Sequence, residues 1–223
     1  MRDFFQYKTY VFDCDGVLLN SNFIKTKAFH TVGLQYGRAA ADALVEYHVK
    51  NGGISRYKKF EYFVSNILGK EPKRIEIDRL LKEFGDIVCR KLMRCQMVEG
   101  LIGLKSQTRN GKWMVVSGGD QKELRSIFRS RNIADLFDGG VFGSPDSKKE
   151  ILAREVSLGN ILKPAVFLGD TMHDYEVAIS FEFDFIFIFE WSEFVSWKDF
   201  FKGKNIKYAR NLAGIQDGLS ELP

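Results

Sequence analysis

The chain has 223 residues, with 33 Lys plus Arg against 29 Asp plus Glu, a formal net charge of +4. Hydrophobic residues make up 45% and charged residues 28%, which excludes a disordered or collagen-like chain. No apolar run approaches the ~20 residues of a membrane helix, and the opening stretch Met1 to Lys8 lacks the apolar centre of a signal peptide, so a cytoplasmic protein is expected.

Average domains run ~100–200 residues, so the length allows one large domain or two small ones. Basic residues are scattered and form no long block, which predicts a solvated surface and no nucleic-acid partner. Cys14, Cys89 and Cys95 are odd in number and show no Cys-x-x-Cys spacing, as expected in a reducing compartment. His30, His48 and His173 lie far apart and offer no metal-binding pair.

Tyr10-Val11-Phe12 is a short apolar run that stops at Asp13-Cys14-Asp15-Gly16, the pattern of a buried strand followed by a turn. Helical patterns follow. Phe60, Phe63, Val64, Ile67 and Leu68 recur at helical spacing, with Ser55 as N-cap and Gly69 as stop. Ile77, Leu80, Leu81, Phe84, Val88 and Leu92 mark a longer helix. No convincing strand pattern occurs from about residue 21 to 95.

After Gly100 the pattern changes. Lys112 to Val116 reads as a strand, and Asp120 caps a helix carrying Leu124, Ile127 and Phe128. Gly140-Val141-Phe142 is a short strand. Ser147 opens the next helix, with Glu150 completing a capping-box signature. Ala165 to Leu168 is a strand, followed by a helix to about Ser180, and Phe185 to Phe189 is another strand. Continuous apolar strands alternating with helices predict an α/β fold, a Rossmann-like parallel sheet with helices on both faces. One strand precedes the helical block and at least four follow it. The expected organisation is therefore a core of residues 1–19 and 97–223 with an inserted α-helical cap at 20–96.

In open α/β sheets, ligands bind beyond the C-terminal ends of the strands. The residues at those ends are Asp13 and Asp15, then Ser117-Gly118-Gly119, then Ser144 to Lys148, then Asp170 with Asp174 four residues on. Carboxylates converging in one place repel unless a cation joins them, and hard oxygen ligands suit Mg²⁺. Ser117 and the N–H groups of Gly118 and Gly119, expected at a helix N-terminus, suit an anion. Lys148 adds a point charge, with Lys149 as its alternative. Together these make a phosphoryl-transfer site in which a carboxylate can act as nucleophile. Cys14 points away between the aspartates and reads as a small buried residue. His173 reads as an exposed helix residue.

Asp13-Cys14-Asp15-Gly16-Val17-Leu18-Leu19-Asn20-Ser21 resembles the first motif of the haloacid dehalogenase superfamily. Ser117-Gly118, Lys148 and Gly169-Asp170-Thr171-Met172-His173-Asp174 resemble its second, third and fourth motifs, in order. The likeness is to members with a helical cap, of the phosphoglycolate-phosphatase and β-phosphoglucomutase types. It implies that Asp13 attacks phosphorus and that Asp15 protonates the leaving oxygen and then activates water. It implies Mg²⁺ held by Asp13, the Asp15 backbone carbonyl, Asp170 and Asp174, and phosphate oxygens held by Ser117 and Gly118 with Lys148 balancing charge.

Gly52 to Tyr57 is similar to the cap turn of the mutase-type proteins, which makes Arg56 a candidate substrate contact. Lys25 stands where those proteins usually carry a histidine, which counts against mutase activity and makes Lys25 a second cap candidate. The expected activity is a Mg²⁺-dependent phosphatase of a small phosphorylated metabolite, with a sugar-phosphate mutase as the alternative. A monomer or homodimer is expected, and the aromatic stretch from Phe189 to Trp197 is read as sheet-edge cover.

Overall fold

The computed structural model describes residues 3–215 and 218–221. Its centre is a sheet whose strands are β1 (Thr9–Phe12), β2 (Lys112–Asp120), β3 (Gly140–Ser144), β4 (Ala165–Gly169), β5 (Asp184–Ile188), β6 (Lys207–Ala209) and β7 (Ser220–Glu221). The order is β3-β2-β1-β4-β5-β6-β7, parallel except for the antiparallel β6–β7 pair at one edge. β1 is central, with Phe12 opposite both Val115 of β2 and Leu168 of β4.

The period of two along each strand divides the core. Val11, Met114, Val116, Phe167, Phe185 and Phe187 pack on one face, against helices α7 (Lys148–Ser157), α8 (Met172–Ser180) and α9 (Trp197–Phe201). Tyr10, Phe12, Trp113, Val115, Val166 and Leu168 pack on the other, against α5 (Leu101–Gln107) and α6 (Gln121–Ser130). Burial on both faces explains why these strands are apolar at every position.

Between β1 and β2 the described chain is helical: α1 (Asn22–Gly33), α2 (Arg38–Lys50), α3 (Arg56–Tyr62) and α4 (Arg74–Leu92). Ser55 caps α3, accepting from the Lys58 N–H, and five residues, Phe63–Ile67, continue it as a π-helical turn. Phe29, Phe60 and Phe84 hold the helices together with ring centroids 4.3 to 5.8 Å apart. The two chain passages joining this segment to the sheet run side by side: Asn20 N–H donates to the Gln96 carbonyl and Val98 N–H to the Leu18 carbonyl, each at 2.9 Å.

Two features differ from the sequence reading. β2 does not end at Val116. It bulges and re-pairs, with Asp120 opposite Ser144, so Ser117-Gly118-Gly119 are strand residues and α6 begins only at Gln121, after its cap Asp120. β6 and β7 are too short to give a periodic signal. The aromatic stretch does cover the sheet edge: Trp197 stacks on Phe189 at 12° and lies 5.1 Å from Tyr208 of β6.

Candidate active site

The ends of β1 and β4, which are hydrogen-bonded neighbours, bring the aspartates together. Asp13 follows β1 directly, its N–H donating to the Leu168 carbonyl at 2.9 Å. Asp170 follows β4. Asp174 lies in the first turn of α8, where a capping box turns its side chain back: Oδ2 accepts from the Thr171 hydroxyl at 2.6 Å and from the Thr171 and Asp170 N–H groups at 3.2 and 3.3 Å. Asp13, Asp170 and Asp174 each present an oxygen within 4.8 Å of the others, and all three are buried.

Lys148, the first residue of α7 after the Ser147–Glu150 capping box, also reaches this cluster. Its Nζ is 2.9 Å from Asp13 Oδ2 and donates to Asp174 Oδ1 at 2.5 Å. Lys149, the alternative, is exposed. Burial alone would strip the proton from Lys148, but Asp13 and Asp174 more than reverse this and hold it charged.

One cation does not balance three carboxylates. Burial, with Asp13 and Asp174 adding to it, pushes Asp170 well above the ordinary carboxylate range, and burial raises Asp13 to about 7 against the pull of Lys148. Asn22 donates to Asp170 Oδ2 at 2.7 Å, yet Asp170 Oδ1 is buried without a hydrogen-bond partner among the described residues. An orphaned buried oxygen beside two further carboxylates is a donor set that fits a hard divalent cation. Gly16 makes room for the Asp170 carboxylate: at φ +74°, a Cβ there would lie 2.1 Å from Asp170 Oδ2.

Asp15 is turned away from the cluster. Its Oδ1 accepts from the Ser21 hydroxyl at 2.5 Å and its Oδ2 pairs with Lys25 of α1. Burial pushes Asp15 up, but Lys25 and Ser21 outweigh it and its pKa ends below the usual value. Cys14 is fully buried, which raises its thiol well above the ordinary range, so it offers no thiolate.

These groups open on a chamber of about 190 Å³ between the sheet and the helical segment. Asp13, Asp15, Lys25, Arg56, Gly118 and Asp170 line it. Gly118 is a close-approach position: its missing Cβ would lie 2.5 Å from the Gly53 carbonyl oxygen, in the loop before α3.

Ser117 and the glycines do not form the helix-terminus anion site that their sequence suggested. They belong to the bulged end of β2. Ser117 is fully buried, and its hydroxyl accepts from the Gly119 N–H at 3.0 Å. Arg56 lines the chamber, but its guanidinium is committed to Glu123 of α6 and lies 5.1 Å from the Phe84 ring. His173 is not exposed. It lies half-buried against Gly53, and burial lowers its pKa to about 4.

Sequence reasoning missed several chamber residues, and among the buried ones His48 and Lys59. Both are buried polar groups on apolar helix stripes. Ala41, Leu44 and His48 share one face of α2, and Arg56, Lys59, Phe60 and Phe63 share one face of the α3 region, at spacings of three and four. That register was the available signal, obscured by the neighbouring Lys58.

A parallel α/β sheet with an acidic cluster and a buried lysine at its strand ends defines a Rossmann-like α/β protein with its polar groups gathered where such folds bind ligands. The model of the haloacid dehalogenase-like hydrolases matches residues 7–181, and the chain belongs to that family. No curated protein matches it in sequence. Solved structures share its fold. A predicted phosphatase from Clostridium acetobutylicum aligns with TM-score 0.63 and 18% identity over 84% of this chain and 86% of that one. A predicted phosphoglycolate phosphatase from Haemophilus somnus gives 0.62 and 17%, over 82% and 85%. CbbY from Rhodobacter sphaeroides, in complex with phosphate, gives 0.61 and 14%, over 84% and 88%. At such identities the likeness establishes the fold.

Proposed function

We propose that this hydrolase is a Mg²⁺-dependent phosphatase of small phosphomonoesters that works through an aspartyl-phosphate on Asp13. The observation that carries the reading is the position of Asp13: buried, paired with Lys148, and within 4.8 Å of Asp174 and of Asp170, whose second oxygen is orphaned. The names of the phosphatase neighbours agree with it.

Asp13, Asp170 and Asp174, with the Asp15 backbone carbonyl, would hold Mg²⁺. When bound, the ion supplies positive charge that lets Asp13 and a phosphate dianion approach each other. Lys148 does the same from its own side, and its two carboxylate partners fix its position. An Asp13 oxygen attacks phosphorus and the bond from phosphorus to the leaving oxygen breaks. That oxygen takes a proton from Asp15. Asp15 then takes one from water, whose oxygen attacks phosphorus, and the bond to Asp13 breaks. Lys25 keeps Asp15 ionised before substrate arrives. An incoming phosphate draws on the Lys25 charge, which raises Asp15 towards the protonated form that the first step needs. An ionised Asp15 also suits the base that activates water.

Residues 20–96 act in this reading as a cap that shields the chamber from bulk water. Gly118 provides the close contact beneath Gly53, Ser117 fixes the bulge below it, and Arg56 ties α3 to α6 through Glu123. Phosphate release from a metabolite panel, with and without Mg²⁺ and with Asp13→Asn as control, tests the proposal. Release from at least one compound that needs both Mg²⁺ and Asp13 is expected, and no release from any compound rejects it.

A further inference from the structure

Asn22, Lys25 and Thr26 are spaced three and four apart, so they share one face at the start of α1. Each engages a carboxylate that follows a strand of the sheet. Lys25 pairs with Asp15, and Thr26 Oγ1 lies 2.8 and 3.0 Å from the two oxygens of Glu193. The Asn22 amide donates to Asp170 Oδ2 at 2.7 Å.

That amide can face only one way. Its nitrogen lies between two acceptors, Asp170 Oδ2 and the Trp191 carbonyl oxygen at 2.9 Å, so both of its protons are used. Turned over, it would set its own oxygen against both. Trp191 belongs to the loop after β5, and its neighbour Ser192 donates its hydroxyl to the Asp170 carbonyl at 2.5 Å. Asp170 is thus held at its side chain and at its backbone. Gly16 packs against the pair: a Cβ there would lie 2.5 Å from Asn22 Nδ2 and 2.1 Å from Asp170 Oδ2, and would drive amide and carboxylate apart.

Charge sets Asp170 apart from the other aspartates. Among the described residues, Asp13 and Asp174 pair with Lys148 and Asp15 pairs with Lys25, but Asp170 forms no ion pair. The other chamber cations are engaged elsewhere. Arg56 is taken by Glu123. Lys59 lies 2.7 Å from His48 Nδ1 and pairs with no carboxylate, and burial lowers its pKa to about 7. A lysine in place of Asn22 would neutralise Asp170 and compete with a bound ion. A neutral amide orients the carboxylate and leaves its charge in place. It also occupies Oδ2 alone, and Oδ1 is the buried oxygen without a partner among the described residues.

We propose that Asn22 is a positioning residue for the cation: it holds Asp170 by one oxygen, without neutralising it, and so presents the other oxygen to the ion. This rests on the Mg²⁺ site of the proposed function. A hydrogen-bond partner of this kind fixes the orientation of a metal ligand, and its loss costs about ten- to a hundredfold in metal affinity.

The test is calorimetric titration of Mg²⁺ into the full chain. It compares the wild type with Asn22→Leu, which keeps the size of the side chain, with Asn22→Ala, and with Thr26→Val, which removes the neighbouring contact to Glu193. Both Asn22 variants are expected to raise the Kd for Mg²⁺ by about ten- to a hundredfold, and Thr26→Val to leave it unchanged. Wild-type affinity in either Asn22 variant overturns the inference and leaves the metal site standing. An equal loss in Thr26→Val also overturns it, because general loosening of α1 would then be the cause. A wild type that takes up no Mg²⁺ overturns the inference together with the metal site. Failure to hydrolyse any phosphomonoester counts against the phosphatase reading alone, since the titration needs no substrate.

Discussion

Replacing Lys59 by methionine should stabilise the protein at neutral pH. The fall of the Lys59 pKa from 10.5 to about 7, at about 1.4 kcal/mol per pH unit, corresponds to about 4 kcal/mol of lost stability at pH 7. The sign follows from proton counts: between pH 7 and 10.5 the unfolded chain holds a proton on this lysine that the folded one releases, so stability is lost as pH falls through that window. Methionine removes the cost but leaves His48 Nδ1 without its donor, which costs about 1–3 kcal/mol. The net gain is about 1–3 kcal/mol at pH 7, a rise in Tm of roughly 5 °C for a chain of this length. Urea unfolding of both proteins from pH 6.5 to 9.5 measures it, and the difference between the two cancels groups they share. The gain should shrink by about 3 kcal/mol from pH 7 to 9.5. A variant that is less stable at every pH by a constant amount would refute the reasoning and show that the burial of Lys59 carries no cost.

Three further outcomes follow from the site. Mg²⁺ at a hundred times its Kd should stabilise the protein by about 2.7 kcal/mol. Asp170→Asn should abolish that response while raising the Tm of the metal-free protein, because it removes a carboxylate that burial and its two acidic neighbours hold well above the ordinary range; differential scanning fluorimetry reads both. Gly118→Ala places a Cβ 2.5 Å from the Gly53 carbonyl oxygen, so it should lower kcat/KM by about ten- to a hundredfold while Mg²⁺ affinity, measured by titration, stays unchanged. A double-mutant cycle in urea with Arg56→Met and Glu123→Gln should give a coupling of about 1–2 kcal/mol, and additive effects would release Arg56 for a substrate role.

The aspartates were legible because each stands where an apolar run stops, and strand ends share one edge of a parallel sheet. Lys148 was legible through its place just inside a capping box. Periodicity reports on one element at a time, and the misreadings all involve pairs of elements. Arg56 reads as a candidate substrate contact until α6 brings Glu123 to it from 67 residues away. Ser117-Gly118-Gly119 read as a strand-to-helix turn until β3 re-pairs with Asp120 beyond the bulge. Lys59 lies on the same stripe as Phe60 and Phe63, but a lysine beside another lysine reads as solvated until its neighbours show where that face is buried.

The central claim is that Asp13 carries the phosphoryl group. Acid quenching during turnover of a good substrate, followed by peptide mass spectrometry, measures this directly. The account predicts one added phosphoryl group on the peptide containing Asp13, formed only with Mg²⁺ and absent from Asp13→Asn. Full turnover by Asp13→Asn, or a phosphoryl group on any other residue, would contradict it.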